Sequence, residues 1–315
     1  MMGSIGCGAI ALVGSCFTDI KGFPFGRYDP VGRNIGKIEY YSGGVARNVA
    51  LNCSNMGYVV KFVSMADAGN SGDVMLEQLQ AAGTDVSCVL RPERGGSGIW
   101  LAVMDETGDV AGSISQQPDL GLMEEHIRSL GDTVTEGCRA LLLEIDLNEP
   151  ITEYCMGLAE RSGIPVYAIV GNMSVAGSRR DLLARCRCFI CNRAEAGRLF
   201  AFPERGSREE LTGAAVRGAG ETGLAQLVVT LGEDGAVWTD RDTGQAGYVP
   251  ARKTNVADTT GAGDSFFSAC VCALLEGRPL EEACLAGAAM AAGVISSREN
   301  SCLPCHGFIT DRLYL

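Results

Sequence analysis

Short apolar runs alternate with longer amphipathic segments along nearly the whole chain, and this rhythm constrains the fold more than any single motif. Residues 9–14, 59–64, 140–145, 166–170, 188–191 and 227–231 are largely apolar and of strand length. Residues 44–56, 71–82, 151–162, 193–200, 207–222, 264–275 and 280–298 carry the spacing of helices. Strands that alternate with helices predict a mostly parallel sheet covered on both faces. Pro150, Pro165 and Pro203 fall at element boundaries, where proline is tolerated. Two stretches break the rhythm. Residues 17–41 and 96–117 read as alternating strands with no helix between them, and 98–115 reads as a hairpin turning at 105–108. Together they predict a small sheet projecting from the main one.

The bulk numbers narrow the class. A chain of 315 residues buries a large core, as one large α/β domain or two smaller ones. Its net charge of −12 argues against a nucleic-acid partner, which would require a basic face. The apolar stretches are too short and glycine-rich to span a bilayer, so no membrane partner is expected. The first residues lack a basic segment and read as a buried strand rather than a signal peptide. The 14 cysteines lie mostly in apolar runs and read as free core thiols of a cytoplasmic protein. Cys302-Leu-Pro-Cys305-His306 matches the spacing of haem attachment, but nothing marks the chain for export. Cys186, Cys188 and Cys191 are spaced for zinc, yet strand alternation points them to different faces. With only His126 and His306, histidine-dependent hydrolysis has little to work with. No P-loop and no HExxH sequence occurs, and no GxGxxG follows a strand with an acidic residue about 20 positions on.

The chemistry concentrates in residues 255–264, which end in Asp258-Thr-Thr-Gly-Ala-Gly-Asp264. Gly261, Ala262 and Gly263 precede an apolar helix, so backbone N–H groups there can bind an anion without side chains in the way. Asp264 beside them can take a proton from a hydroxyl. An anion hole next to a base suits phosphoryl transfer to an alcohol. Asp19 follows the first strand at the carboxyl edge, where open α/β sheets bind ligands, and reads either as a hydroxyl acceptor or as a turn residue. Gly43 and Gly44 open the first long helix, and Asn48 lies about one turn in, facing a cleft or solvent. Asn192 and Glu195 have the spacing of a capping box, a complete structural account in itself. Thr230, Gly232 and Gly235 form a weak T-x-G-x-x-G turn pattern. Asp258 and Thr260 offer oxygens suited to a hard cation, or order the loop.

Taken together and in this order, these motifs resemble the ribokinase-like (PfkB) carbohydrate kinases over nearly the whole chain. The resemblance implies a single domain, 1–315, with a ribokinase-like three-layer α/β/α fold and a small β-sheet lid drawn from about 15–41 and 96–117. It implies ATP and Mg²⁺ as cofactors. Asp264 would be the base, Gly261–Gly263 the anion hole, and Asp19, Gly43, Gly44 and Asn48 the sugar site. Asn192, Thr230, Gly232 and Gly235 would bind nucleotide, and Glu195 would hold Mg²⁺ through water. Asp258 and Thr260 would bind a monovalent cation, K⁺. A homodimer through the lid is a further implication. Residues 19–57 look most like the pseudouridine kinases, from Asp19-Ile-x-Gly22 and Gly43-Gly-Val-Ala-Arg-Asn48. The expected reaction is therefore phosphorylation of the 5′-hydroxyl of pseudouridine. Ser115-Gln116-Gln117 and residues 171–175 depart from that pattern. Ribose, adenosine, inosine or a ketohexose as acceptor, or a silent binding protein on the same fold, remain the alternatives. A NAD-linked oxidoreductase is disfavoured by the missing fingerprint.

Overall fold

The computed structural model describes residues 8–171, 173–297 and 299–315. In chain order its strands are β1 (Ala9–Val13), β2 (Phe17–Pro24), β3 (Gly36–Gly43), β4 (Val60–Met65), β5 (Val89–Leu90), β6 (Gly98–Met104), β7 (Val110–Gln116), β8 (Cys138–Glu144), β9 (Val166–Ile169), β10 (Cys188–Asn192), β11 (Gln226–Thr230), β12 (Ala236–Asp240) and β13 (Gln245–Val249). The α-helices are α1 (Val45–Asn55), α2 (Asn70–Ala81), α3 (Leu120–Leu130), α4 (Glu149–Ser162), α5 (Arg180–Leu183), α6 (Arg193–Phe200), α7 (Arg208–Thr222), α8 (Ala262–Leu275) and α9 (Leu280–Ile295). Nine strands form one sheet in the order β13-β12-β11-β10-β9-β8-β1-β4-β5. It is parallel from β11 to β5, and β12 and β13 add an antiparallel edge.

The sheet is covered on both faces because its strands are apolar on both. In β1, Ile10 and Leu12 pack with α1, α2, α8 and α9, while Ala11 and Val13 pack with α3, α4, α6 and α7. Leu12 has no exposed surface, and truncating such a residue to alanine typically costs about 2–5 kcal/mol. Cys188 lies in the first of these layers, and Cys186 and Cys191 in the second. Every described cysteine is a free thiol; Cys7 lies outside the described residues. Among the described residues, no helix is long and apolar enough to cross a membrane.

The structure corrects several boundaries. Helix α8 starts at Ala262 rather than at Asp264, because Gly261 takes the left-handed conformation (φ 78°) and serves as the N-cap. Ala262 and Gly263 thus belong to the helix's first turn. Helix α9 stops at Ile295, where the Ser296 and Ser297 hydroxyls bond back to the carbonyls of Gly293 and Val294. The expected end at Arg298 lies outside the described residues. Helix α3 had not been expected, although Asp119 caps it by accepting from the Leu122 N–H at 3.0 Å. Strands β12 and β13 were also missed: β13 is half-exposed and has no apolar run to mark it.

The remaining four strands form a separate sheet in the order β3-β2-β6-β7. Its β6–β7 hairpin turns at 105–109, where Asp105 Oδ1 accepts from the N–H groups of Thr107 (2.8 Å) and Asp109 (3.0 Å). Register pairs Asp19 with Tyr41 and Trp100, and Lys21 with Glu39 and Ala102. Alternation puts these on one face and Ile20, Tyr40, Leu101 and Ile114 on the other. Tyr40 and Ile114 are 70% and 71% exposed, so that second face is an apolar surface open to solvent.

Candidate active site

The order of the large sheet reverses at β1, with β4 on one side and β8 on the other. The crevice of an open α/β sheet lies at the carboxyl ends of such a pair. Ser15 follows β1 and Glu144 ends β8, and the two meet there. The Ser15 N–H donates to Glu144 Oε2 at 2.7 Å, and its hydroxyl lies 2.9 and 3.1 Å from the two carboxylate oxygens. Burial pushes the Glu144 carboxyl up to about 7 against the opposing Ser15 contacts, and Asp146 and Asp264 raise it further. Sequence reasoning missed this residue. The available signal was a carboxylate closing the run Leu141-Leu142-Leu143 at the carboxyl edge.

Asp19, Gly43, Gly44, Asn48 and Asp264 are brought together beside it. Asp19 sits on β2 of the small sheet, and Gly43 ends the paired strand β3. A Cβ at Gly43 would lie 2.4 Å from Asp19 Oδ2, so only glycine lets the carboxylate rest there. Gly44 is the N-cap of α1, and its carbonyl accepts from the Asn48 N–H at 2.9 Å. The Asn48 side chain crosses to α8, where Nδ2 donates to Asp264 Oδ2 at 2.8 Å. Burial pushes the Asp264 carboxyl up to about 6; Asn48 lowers it and the Asp19 charge raises it. Asp19 is itself raised by burial, against Lys21 and Arg47. At the start of α8 the Ala262 N–H reaches the Thr259 carbonyl at 3.3 Å, and Gly263 is exposed. A Cβ on Gly261 would lie 2.1 Å from the Asn300 carbonyl oxygen, which fixes that backbone against residues 299–300.

A cavity of about 1040 Å³ opens between the small sheet and the body. Asp19, Lys21, Tyr41 and Trp100 line it from the sheet, and Asp258 and Thr260 from the loop before α8. Lys21 Nζ lies 5.2 Å from the Tyr41 ring centre and 5.9 Å from that of Trp100. Ser115 and Gln116 of β7, and Gln117 beyond it, are not among the lining residues.

The expected nucleotide residues lie farther along the sheet. Asn192 and Thr230 are register partners at the carboxyl ends of β10 and β11, separated from β1 by β9 and β8. Asn192 and Glu195 form a full capping box: Asn192 Oδ1 accepts the Glu195 N–H at 2.9 Å, and Glu195 Oε2 accepts the Asn192 N–H at 2.7 Å. Burial raises the Glu195 carboxyl. Thr230 Oγ1 donates to the Cys191 carbonyl at 3.4 Å. Gly232 opens and Gly235 closes the turn from β11 to β12. Asp258 Oδ1 accepts from the Thr260 N–H at 2.8 Å, a contact that orders the loop.

Glu195 fits a role toward Mg²⁺, since the cap uses only Oε2 and leaves the lone pairs of Oε1 for a metal-bound water. The site therefore combines a carboxylate of raised pKa at a helix start with a second carboxylate, Asp19, that lines the cavity. That arrangement can take a proton from an alcohol and stabilise charge on an incoming phosphoryl group.

Residues 9–304 match the sequence profile described as pfkB family carbohydrate kinase. A guanosine-inosine kinase of Exiguobacterium acetylicum is 37% identical over 302 residues, covering 94% of this chain and 97% of its own length. A pseudouridine kinase of Escherichia coli (strain K12) is 26% identical, covering 87% and 86%. Among solved structures, Arabidopsis thaliana ribokinase complexed with ribose and ATP matches at a TM-score of 0.81 over 98% of this chain and 99% of its own, with 21% identity.

Proposed function

Since the chain belongs to the pfkB family of carbohydrate kinases, we propose that its cleft transfers the γ-phosphoryl group of ATP to the 5′-hydroxyl of a nucleoside. It is a phosphotransferase with an alcohol group as acceptor. The observation that carries the finer reading is the 2.8 Å contact from Asn48 to Asp264, which joins the acceptor motif to the base. Asp19, Gly43, Gly44 and Asn48 hold the ribosyl group. Asp264 takes the proton from the primary hydroxyl as that oxygen attacks the γ-phosphorus in line. The first turn of α8 lies against the transferring phosphoryl group, where its backbone donors and dipole oppose the developing charge. Asn192, Thr230, Gly232 and Gly235 support the nucleotide. When bound, Mg²⁺ neutralises phosphate charge, and Glu195 would hold it through water.

For the base, the first reading is a 6-oxopurine nucleoside, guanosine or inosine. It is supported by the 37% identity to a guanosine-inosine kinase over almost the full length of both chains. Pseudouridine, the expectation from residues 19–57, is the second reading, supported by a more distant relative. Side-by-side ADP release with guanosine, inosine, pseudouridine, uridine, adenosine and ribose separates them. A tenfold higher kcat/KM for ribose than for every nucleoside would sink the nucleoside reading, and no turnover with any acceptor would favour a silent binder. The exposed apolar face of the small sheet supports a homodimer formed there, which sedimentation of wild type and Ile114→Glu would test: a wild-type monomer removes it. The free thiols fit a reducing, cytoplasmic setting.

A further inference from the structure

Arg47 is a buried cation that the reaction described so far does not use. It lies on α1 between the acceptor-site glycines and Asn48, with 3% of its surface exposed. A guanidinium that deep ordinarily meets a carboxylate, since an unpaired buried charge is costly. Here the hydrogen-bond partners among the described residues are three neutral amides. Nη1 donates to Asn48 Oδ1 at 3.1 Å and to Asn300 Oδ1 at 3.3 Å, and Nη2 donates to Gln78 Oε1 of α2. Nε has no partner among the described residues.

Two of these amides lead to the two halves of the candidate chemistry. An asparagine side chain has one accepting and one donating end. Because Arg47 occupies Asn48 Oδ1, Asn48 must present Nδ2 to Asp264, as it does at 2.8 Å. Reversed, the amide would turn a carbonyl oxygen toward the carboxylate and repel it. Asn300 is held on its other side by Nδ2 donating to the Ser42 carbonyl at 2.8 Å. Its backbone carbonyl is the group that excludes any side chain at Gly261. One guanidinium thus braces the amide that orients the base and the segment against the first turn of α8.

We propose that Arg47 is a positioning residue for phosphoryl transfer, fixing the orientation of the Asn48 amide so that Asp264 is held as an ionised base, and tying the start of α8 to the same point. The proposal rests on the kinase reading with Asp264 as base. Only the planar fork meets all three amides at once; a lysine ammonium is a single point and cannot span them. The charged group acting on Asp264 from a neighbouring element is Asp19 on β2; Glu144 on β8 faces it and is itself raised by the Asp264 charge, and Asp19 and Glu299 act on Arg47. The Asp19 carboxylate opposes ionisation of Asp264, and the Asn48 donor counters it.

The test is kcat against pH for wild type, Arg47→Gln, Arg47→Lys and Asp264→Asn, at saturating Mg·ATP and with the best acceptor of the panel. Arg47→Gln should lower kcat by roughly 10- to 100-fold, the scale of a misplaced catalytic group. Its acid limb should move to higher pH, because Asp264 loses an oriented donor, while the KM for ATP stays within about threefold. Arg47→Lys should show the same changes, smaller. Thermal melting checks that each variant folds; if the glutamine variant does not, the lysine variant decides. A folded variant with the wild-type acid limb and kcat would overturn the proposal. Asp264→Asn as active as wild type would overturn the kinase mechanism, and the Arg47 role with it.

Discussion

The proposed acceptor end of the cleft and the proposed nucleotide end are built in opposite ways. At the proposed nucleotide end the polar contacts stay within one turn or between neighbouring strands: Asn192 and Glu195 cap a helix three residues apart, Gly232 and Gly235 shape one turn, and Thr230 bonds the Cys191 carbonyl of the adjacent strand. Each has a complete reason to exist in a protein with no activity. At the acceptor end the contacts join residues far apart in sequence, Asn48 to Asp264 and Ser15 to Glu144. They gather carboxylates where burial pushes them up to about 6 and about 7. A fold gains nothing by burying acids that prefer to be neutral. Polar groups placed at a cost to stability point to function more strongly than groups that also stabilise.

The sharpest way to break this contrast is Asp264→Asn. Turnover should fall by roughly 10²- to 10⁴-fold, the range for a lost general base. The melting temperature at pH 7 should hold or rise, because a disfavoured charge is gone. The linkage sign agrees. Folded values of about 6 and about 7 lie above the ordinary carboxylate values of 3.8 and 4.5. The two groups' contribution is thus fully present below about pH 4 and is lost as pH rises through 6 to 7. Stability from these groups grows on mild acidification while turnover falls. Equal slopes of stability against pH in wild type and in the Asp264→Asn, Glu144→Gln double variant would contradict this.

Asp19→Ala comes next in size. The KM for the acceptor should rise by roughly tenfold or more, as expected for losing hydrogen bonds to a charged group, with the KM for ATP little changed. A selective loss of ATP binding would mean the two ends had been assigned the wrong way round.

Glu195→Gln sharpens the comparison from the other side. It weakens the capping box, which should cost up to about 1 kcal/mol of stability in a denaturant melt. A role toward Mg²⁺ adds a raised Mg²⁺ requirement for half-maximal rate. A shifted melt with an unchanged Mg²⁺ titration would leave Glu195 as a cap alone. The smallest expected effect is a modest activation by K⁺ over Na⁺ through Asp258 and Thr260. Identical rates in K⁺, Na⁺ and a bulky organic cation would remove that site.

What could be read from the sequence follows the same division. Long apolar runs mark strands buried on both faces, so β1, β4 and β8 to β11 were legible; β12 is equally buried, but its short run Ala236-Val-Trp238 gives way to Thr239 and Asp240 and was missed. The small sheet was legible through its alternation and the Asp105 turn. Strand β13 was not, because an exposed edge strand has no run to show. The Asp258–Asp264 motif pointed to Asp264 as the candidate base, but not to Gly261 bringing Ala262 and Gly263 inside the helix. Glu144 hid as the polar end of an apolar strand. Arg47 sat in plain view within Gly43–Asn48, yet its meaning depends on Gln78 and Asn300, which only the folded chain places beside it.

The division of the acceptor site between the small sheet and the body also bears on a side reaction. Asp19 rides on β2, while Asp264 belongs to α8. On the proposed reading a nucleoside would reach both carboxylates at once, whereas a water molecule in front of Asp264 would touch only one. Wasteful hydrolysis of ATP would then forgo every contact that the sheet provides, a geometric penalty. The same split would make fidelity a property of length: an acceptor too short to span from sheet to helix would compete on nearly the same terms as solvent.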